Sequence, residues 1–187
     1  MKIVPCFLLL TMSAHAAVSL NQLETFASLN GWESGSQNPN PPSILADSGP
    51  LGPGDPTLRI TSNGGSGAGG KLIAFNQSAW SGDYLAEGIV AISASLRNSG
   101  STTLSIRLGF DGPGGRFVTA VSPVAAFSGW SGVLFDVRPS ALISASGTNA
   151  AATMAGVTEM RILHSSAVSF TGAQISSTLL VDNLRAV

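Results

Sequence analysis

The stretch Ile89–Phe110, IVAISASLRNSGSTTLSIRLGF, decides the fold class, because its apolar residues alternate with small polar or charged ones. Val90, Ile92, Ala94 and Leu96 share one face of a first strand, and Leu104, Ile106, Leu108 and Phe110 share one face of a second. If the two strands pair with each other, facing residues must point the same way, which sets Leu96 opposite Leu104 and Asn98 opposite Thr102. Ser99, Gly100 and Ser101 are then a three-residue loop, with Gly100 at the left-handed position such loops use. The stretch therefore predicts a hairpin with one apolar face. Its other, wet face carries Ser93, Ser95 and Arg97 beside Thr103, Ser105 and Arg107. The apolar face needs a second layer to cover it, so the sequence predicts an all-β, two-sheet antiparallel sandwich.

The rest of the chain repeats the pattern. Strands are expected up to Phe26, at Ser43–Ala46, Thr57–Ser62, Lys71–Asn76, Arg116–Val121, Trp130–Val137, Val157–Leu163 and Ser176–Val187. Proline-rich loop fills residues 35–56, including Asn38-Pro39-Asn40-Pro41-Pro42, since proline has no ladder donor. Asp111-Gly112-Pro113-Gly114-Gly115 reads as a tight turn. Only Pro139–Leu142 and the alanine-rich Asn149–Met154 have helical character, and both are too short to found a helical domain. Nine to eleven short strands between Gly/Pro turns, with no internal repeat, make the sandwich of jelly-roll type.

Met1-Lys2, the apolar run Ile3–Met12 and the small-x-small site Ala14-His15-Ala16 read as a signal peptide, residues 1–16, cleaved before Ala17. Residues 17–187 then form one domain. The apolar run is too short to span a bilayer and no longer one follows, so no membrane anchor is expected. The single cysteine, Cys6, lies inside that run, which leaves the exported chain without a thiol or a disulfide and rules out a lipid-anchoring role for it. Ten acidic residues against nine basic ones give a net charge of −1, and no Lys/Arg cluster occurs. Nucleic acid and anionic membranes are therefore not expected partners.

Residues that look like chemistry mostly dissolve on inspection. Gly65-Ser66-Gly67-Ala68-Gly69-Gly70-Lys71 has the glycine spacing of a phosphate loop. Leu72 stands where a magnesium-binding hydroxyl would be, however, and a strand follows instead of a helix, so a glycine-rich hairpin loop is expected. His164 is the one histidine of the exported chain, in phase with Met160 and Ile162, and is expected to pack; no GxSxG elbow accompanies it. Glu24, Glu33, Asp83, Glu87, Asp111, Asp136, Glu159 and Asp182 are scattered, without the paired carboxylates of a glycosidase, and Glu159 with Arg161 reads as a surface ion pair. Trp32 and Trp130 each follow a glycine before a strand and are expected at core edges. Asn76-Gln77-Ser78 matches a glycosylation sequon.

Leu179-Leu180-Val181-Asp182-Asn183-Leu184 resembles the last strand of galactose-binding-like jelly rolls and carbohydrate-binding modules. Glu24-Thr25-Phe26 with Gly31-Trp32, Ser128-Gly129-Trp130 before Val133–Val137, and Val157–Ile162 are similar to other recurring stretches of that group. With Trp80-Ser81-Gly82-Asp83-Tyr84 they also resemble secreted bacterial domains related to sorting-anchor proteins. The resemblance implies a structural calcium, held by the C-terminal Asp182 and by a glutamate after the first-strand phenylalanine. Ala27 occupies that second position here, so Glu24 is the replacement. No sorting tail follows Val187, and a released protein is expected.

The expected function is that of a secreted, non-catalytic binding protein for carbohydrate or a cell-surface or matrix polysaccharide. The alternatives are a structural component of an extracellular matrix or envelope, and a glycan-active hydrolase. Sugars are recognised by paired hydrogen bonds from planar polar groups and by stacking on aromatic rings. The expected glycan contacts are accordingly Ser93, Arg97 and Arg107 on the wet face, with Trp80, Asp83 and Tyr84 on the neighbouring connection.

Overall fold

The computed structural model describes residues 17–187, so the expected signal peptide and Cys6 lie outside the described residues. In chain order the elements are β1 (Leu23–Glu24), β2 (Trp32–Glu33), β3 (Ser43–Leu45), β4 (Thr57–Asn63), β5 (Ile73–Asn76), β6 (Ala91–Asn98), β7 (Leu104–Asp111), β8 (Phe117–Val118), β9 (Ser122–Val124), β10 (Ser131–Asp136), a 3₁₀ turn (Pro139–Ala141), β11 (Ile143–Ser144), helix α1 (Ala150–Met154), β12 (Glu159–His164) and β13 (Ser176–Ala186). The helix begins where Asn149 caps it, its side chain accepting from the Ala152 amide.

Two antiparallel sheets result. Sheet A runs β10-β6-β13-β4-β3, with β1 added beside the end of β13; sheet B runs β11-β8-β7-β12-β5-β2, with β9 beside β7. Ile60, Ile92, Leu96, Leu179 and Val181 from sheet A pack with Ile106, Leu108, Phe110, Met160 and Ile162 from sheet B in one core. Face-to-face sheets of this kind bury the inward residue of every pleat. This is the sandwich that the alternation predicts.

The pairing within it differs from the expected hairpin. β6 lies in sheet A, between β10 and β13, whereas β7 lies in sheet B, between β12 and β8/β9. Residues 99–103 thus cross from one sheet to the other, and Gly100 is not left-handed. A glycine is required there because a Cβ would come within 2.1 Å of the Ser177 hydroxyl. The Gly65–Gly70 stretch makes the same crossing, from β4 in sheet A to β5 in sheet B, and is no hairpin loop either. Alternation decides which residues face the core; it carries no information on which strand lies alongside. Val90 is a smaller correction, since it stands before β6 and is half exposed.

Candidate functional site

The site is built on the outer face of sheet A. In β13, Leu179 and Val181 point to the core, so Leu180 points outward, and it is register partner to Arg59 of β4 on one side and Arg97 of β6 on the other. Arg59 in turn pairs with Ser43 of β3, whose hydroxyl accepts from its Nε at 3.0 Å. One row further along, Thr178 faces Thr61, their hydroxyls 3.2 Å apart. Above this floor lies an open groove of about 640 Å³, walled by Pro39, Asn40 and Pro41 and lined by Leu45, Ser99 and the row residues just named other than Arg97. No Asp or Glu lines it.

The other half of the same face is covered. Loop 46–56 is closed on itself by Asp55, which takes the Leu51 amide on its Oδ2, and by Asp47, which takes the Gly54 amide. Gly49 is confined to glycine by the Asp55 side chain, 2.1 Å from where a Cβ would be. The loop reaches the far edge of the sheet, where the Trp130 indole donates to the Ser48 carbonyl. Asp182, outward on β13 beside Ser95, has no exposed surface. Its Oδ2 accepts from Asn183 Nδ2 and its Oδ1 has no partner. Burial pushes this carboxyl up to about 6, and the nearby negative charge of Asp55 adds to the effect. Thr57, one residue beyond the Leu58–Val181 pair, also has an unpartnered buried hydroxyl.

The expected glycan contacts do not come together. Trp80 and Tyr84 are fully buried; the Tyr84 hydroxyl donates to the Trp80 carbonyl and its ring meets Phe110 edge-on at 5.6 Å, so neither ring offers a face to a ligand. The reason is the main-chain bond from the Tyr84 amide to the Met154 carbonyl, which draws the 77–88 connection over the end of the core. Asp83 is exposed but closes its own turn, accepting from the Leu85 and Ala86 amides. Arg107 is on the outer face of the opposite sheet from Arg97 and is itself buried, its guanidinium donating to the carbonyls of Thr119, Ser165 and Ser166. Ser93, Ser95 and exposed Arg97 keep the outward positions expected of them, on sheet A alone.

The two residues expected to hold calcium have different surroundings. Glu24 accepts from Asn30 Nδ2 at 2.6 Å and faces the Trp80 indole, which lies near it without completing a hydrogen bond, while Asp182 faces Asp55. Burial raises the Glu24 carboxyl, against the lowering effect of Asn30. Among the described residues no three His, Cys, Asp or Glu side chains gather in a metal-holding group.

The remaining motifs take structural roles. His164 is buried and kept neutral by desolvation, with Nδ1 accepting the Ser105 amide. Asn76 of the sequon is fully buried, donating to the Asn30 carbonyl and accepting the Ser78 and Trp80 amides, which leaves no amide for a glycan. Glu159 and Arg161 form their ion pair, but mostly buried, with Arg161 stacked 4.1 Å over Phe170. Sequence reasoning missed Arg59, Thr61, Thr178 and Leu180 as a set. The alternation in Thr57–Ser62 does put Arg59 and Thr61 opposite to Leu58 and Ile60, and that was the available signal.

No protein-family model and no curated protein matches the sequence. Solved structures do match. A family 11 carbohydrate-binding module from Clostridium thermocellum, solved with a β-1,3-1,4-mixed-linked tetrasaccharide, is 16% identical over 92% of this chain and 97% of its own, with a TM-score of 0.55. The C-terminal family 22 carbohydrate-binding module of Clostridium thermocellum Xyn10B is 12% identical over 89% of this chain and 92% of its own, at 0.51. An exo-β-agarase matches 89% of this chain with 24% of its own length, at 10% identity and 0.57. At these identities the likeness is one of architecture: the chain has the jelly-roll sandwich fold seen in carbohydrate-binding modules.

Proposed function

We propose that the protein is an exported, non-catalytic carbohydrate-binding protein that holds a glycan in the groove over sheet A. The observation that carries this reading is the groove itself: hydroxyls of Ser43, Thr61, Ser99 and Thr178 and the guanidinium of Arg59 converge on one open channel. Backbone pairing fixes Ser43, Thr61, Thr178 and Arg59 in position before any ligand arrives. A preorganised polar floor limits the ordering cost of binding a flexible saccharide. The fold neighbour solved with a tetrasaccharide supports the same ligand class. The absence of carboxylates from the lining leaves the groove without the acid pair that glycoside hydrolysis uses.

Export rests on the Met1–Ala16 leader pattern. Intact-mass analysis of the exported protein is expected to place its first residue at Ala17; retention of the leader would overturn this part. For the groove, a glycan array is the primary test, followed by Thr178→Trp, which fills the channel from an outward position and leaves the inward face of β13 untouched. Binding is expected to disappear with the melting temperature preserved. Array binding that survives Thr178→Trp would place the ligand elsewhere, and release of reducing ends from a bound glycan would make the protein an enzyme.

A further inference from the structure

Among the described residues, three of the seven arginines sit in ion pairs and two more are spent on neutral acceptors. Arg116 pairs with Asp111, Arg138 with Asp136 and Arg161 with Glu159. Arg107 is spent on three carbonyls and Arg185 on the Asn21 side chain. Arg59, Arg97 and Arg185 are the exposed arginines without an ion pair, and of these Arg59 and Arg97 share one row of sheet A. Among the described residues Arg59 has only the neutral Ser43 hydroxyl and Arg97 has no hydrogen-bond partner, and neither has a carboxylate within ion-pair distance. These two exposed guanidiniums are neighbours, in one row, with Leu180 between them.

Their spacing follows from the sheet. Adjacent strands lie ~4.8 Å apart, so the Cα atoms of Arg59 and Arg97, two strands apart, are separated by about 10 Å across the row. That distance is comparable to the advance of a disaccharide along an extended polysaccharide. The chain as a whole is slightly acidic, so a cationic row without counter-charge runs against its composition. Each guanidinium offers a planar fork that matches a carboxylate or a sulfate with two parallel N–H···O bonds.

We propose that the groove selects an anionic polysaccharide, one whose repeat carries carboxylate or sulfate groups, with Arg59 and Arg97 each taking one anionic group and the Ser/Thr hydroxyls taking the sugar oxygens. This rests on the reading of the groove as a glycan site and specifies its ligand. Arg97, although outside the groove's lining, extends it toward β10.

The test is isothermal titration of the protein with three oligosaccharide probes of equal length: oligogalacturonate, a sulfated galactan oligosaccharide and a neutral mixed-linked β-glucan. At least one of the two anionic probes is expected to bind, more weakly at high salt, and which one binds identifies the anion. Arg59→Ala and Arg97→Ala are each expected to weaken it roughly tenfold, as loss of an anchoring charged contact does, without moving the melting temperature. Arg97→Lys should recover only part, because it keeps the charge and not the fork. Equal or tighter binding of the neutral glucan, unaffected by either alanine, would overturn the anionic selectivity and leave the glycan site standing. Displacement of an anionic probe by equivalent free sulfate at constant ionic strength would also overturn it, since the saccharide would then contribute nothing. No binding of any of the three probes, together with an empty glycan array, would overturn the function proposed above as well.

Discussion

Asp182 stands out among the individual residues because its burial has a measurable sign. Its carboxyl titrates near 6 in the fold, against an ordinary value of 3.8, so the native protein takes up this proton before the unfolded chain does. Asp182 therefore adds stability below the unfolded value, and that contribution is lost as pH rises through about 6. His164 acts in the opposite direction: its pKa is lowered, so acidification favours the unfolded chain. The difference between wild type and Asp182→Asn separates the two. We predict that between about pH 4 and pH 6 the wild type loses stability, relative to the variant, as pH rises, and that the difference levels off above that range. Identical pH profiles of the melting temperature would show that Asp182 is ionised and paired in the fold. Arg107 gives a second test. Arg107→Ala strips two buried carbonyls, those of Thr119 and Ser165, of their donor, and each such group costs about 1–3 kcal/mol; the melting temperature should fall sharply, and any glycan binding by the folded remainder should be unchanged. Facing direction was legible at this scale: the inward sets Ile92, Ala94, Leu96 and Leu104, Ile106, Leu108, Phe110 follow from alternation alone. The fates of Arg107 and of the Trp80–Tyr84 connection were not, because each is decided by a partner distant in sequence: Ser165 for Arg107 and Met154 for Tyr84.

For the elements, the instructive segment is the crossing between β6 and β7. A loop that leaves one sheet for the other has no ladder to hold it, and here one side chain adds four bonds to the main-chain ones from the Ser99 amide to the Thr178 carbonyl and from the Phe127 amide to the Gly100 carbonyl. Asn98 is fully buried; it donates to the Thr102 and Val124 carbonyls and accepts from the Gly100 amide and the Ser177 hydroxyl. We predict that Asn98→Ala costs about 2–4 kcal/mol, from several buried groups left unsatisfied at once, while Asn98→Asp retains the acceptor half of the set and loses the donor half. Denaturant midpoints of the two variants measure this, and an effect under about 1 kcal/mol for the alanine would assign the crossing to main-chain bonds instead. The presence of most strands was readable, and so were the Asp111–Gly115 turn and the short helix. Short β9 and β11 were not, since two or three residues carry no periodicity. The 640 Å³ groove was invisible for a different reason: its walls come from residues 39–45, 59–61, 99 and 178–180, and only the sheet order brings them together.

Across the whole molecule, stability comes from one apolar core between two sheets, and strand order decides how that core is completed. In sheet A the central position belongs to β13, which pairs with β6 on one side and with β4 and β1 on the other. We predict that a chain stopped at Gln174 is unfolded by circular dichroism and proteolysis, because removing β13 opens sheet A in the middle; a cooperative melt from such a chain would refute the pairing. The same arrangement bears on the order of events during synthesis. β1, β4 and β6 all emerge from the ribosome well before the strand that joins them, so β4 with β3, and β6 with β10, lack their β13 partner until residues 176–186 follow. A nascent chain of this design keeps sheet A in two halves until β13 is made, so the sheet is completed from its middle and not from an edge.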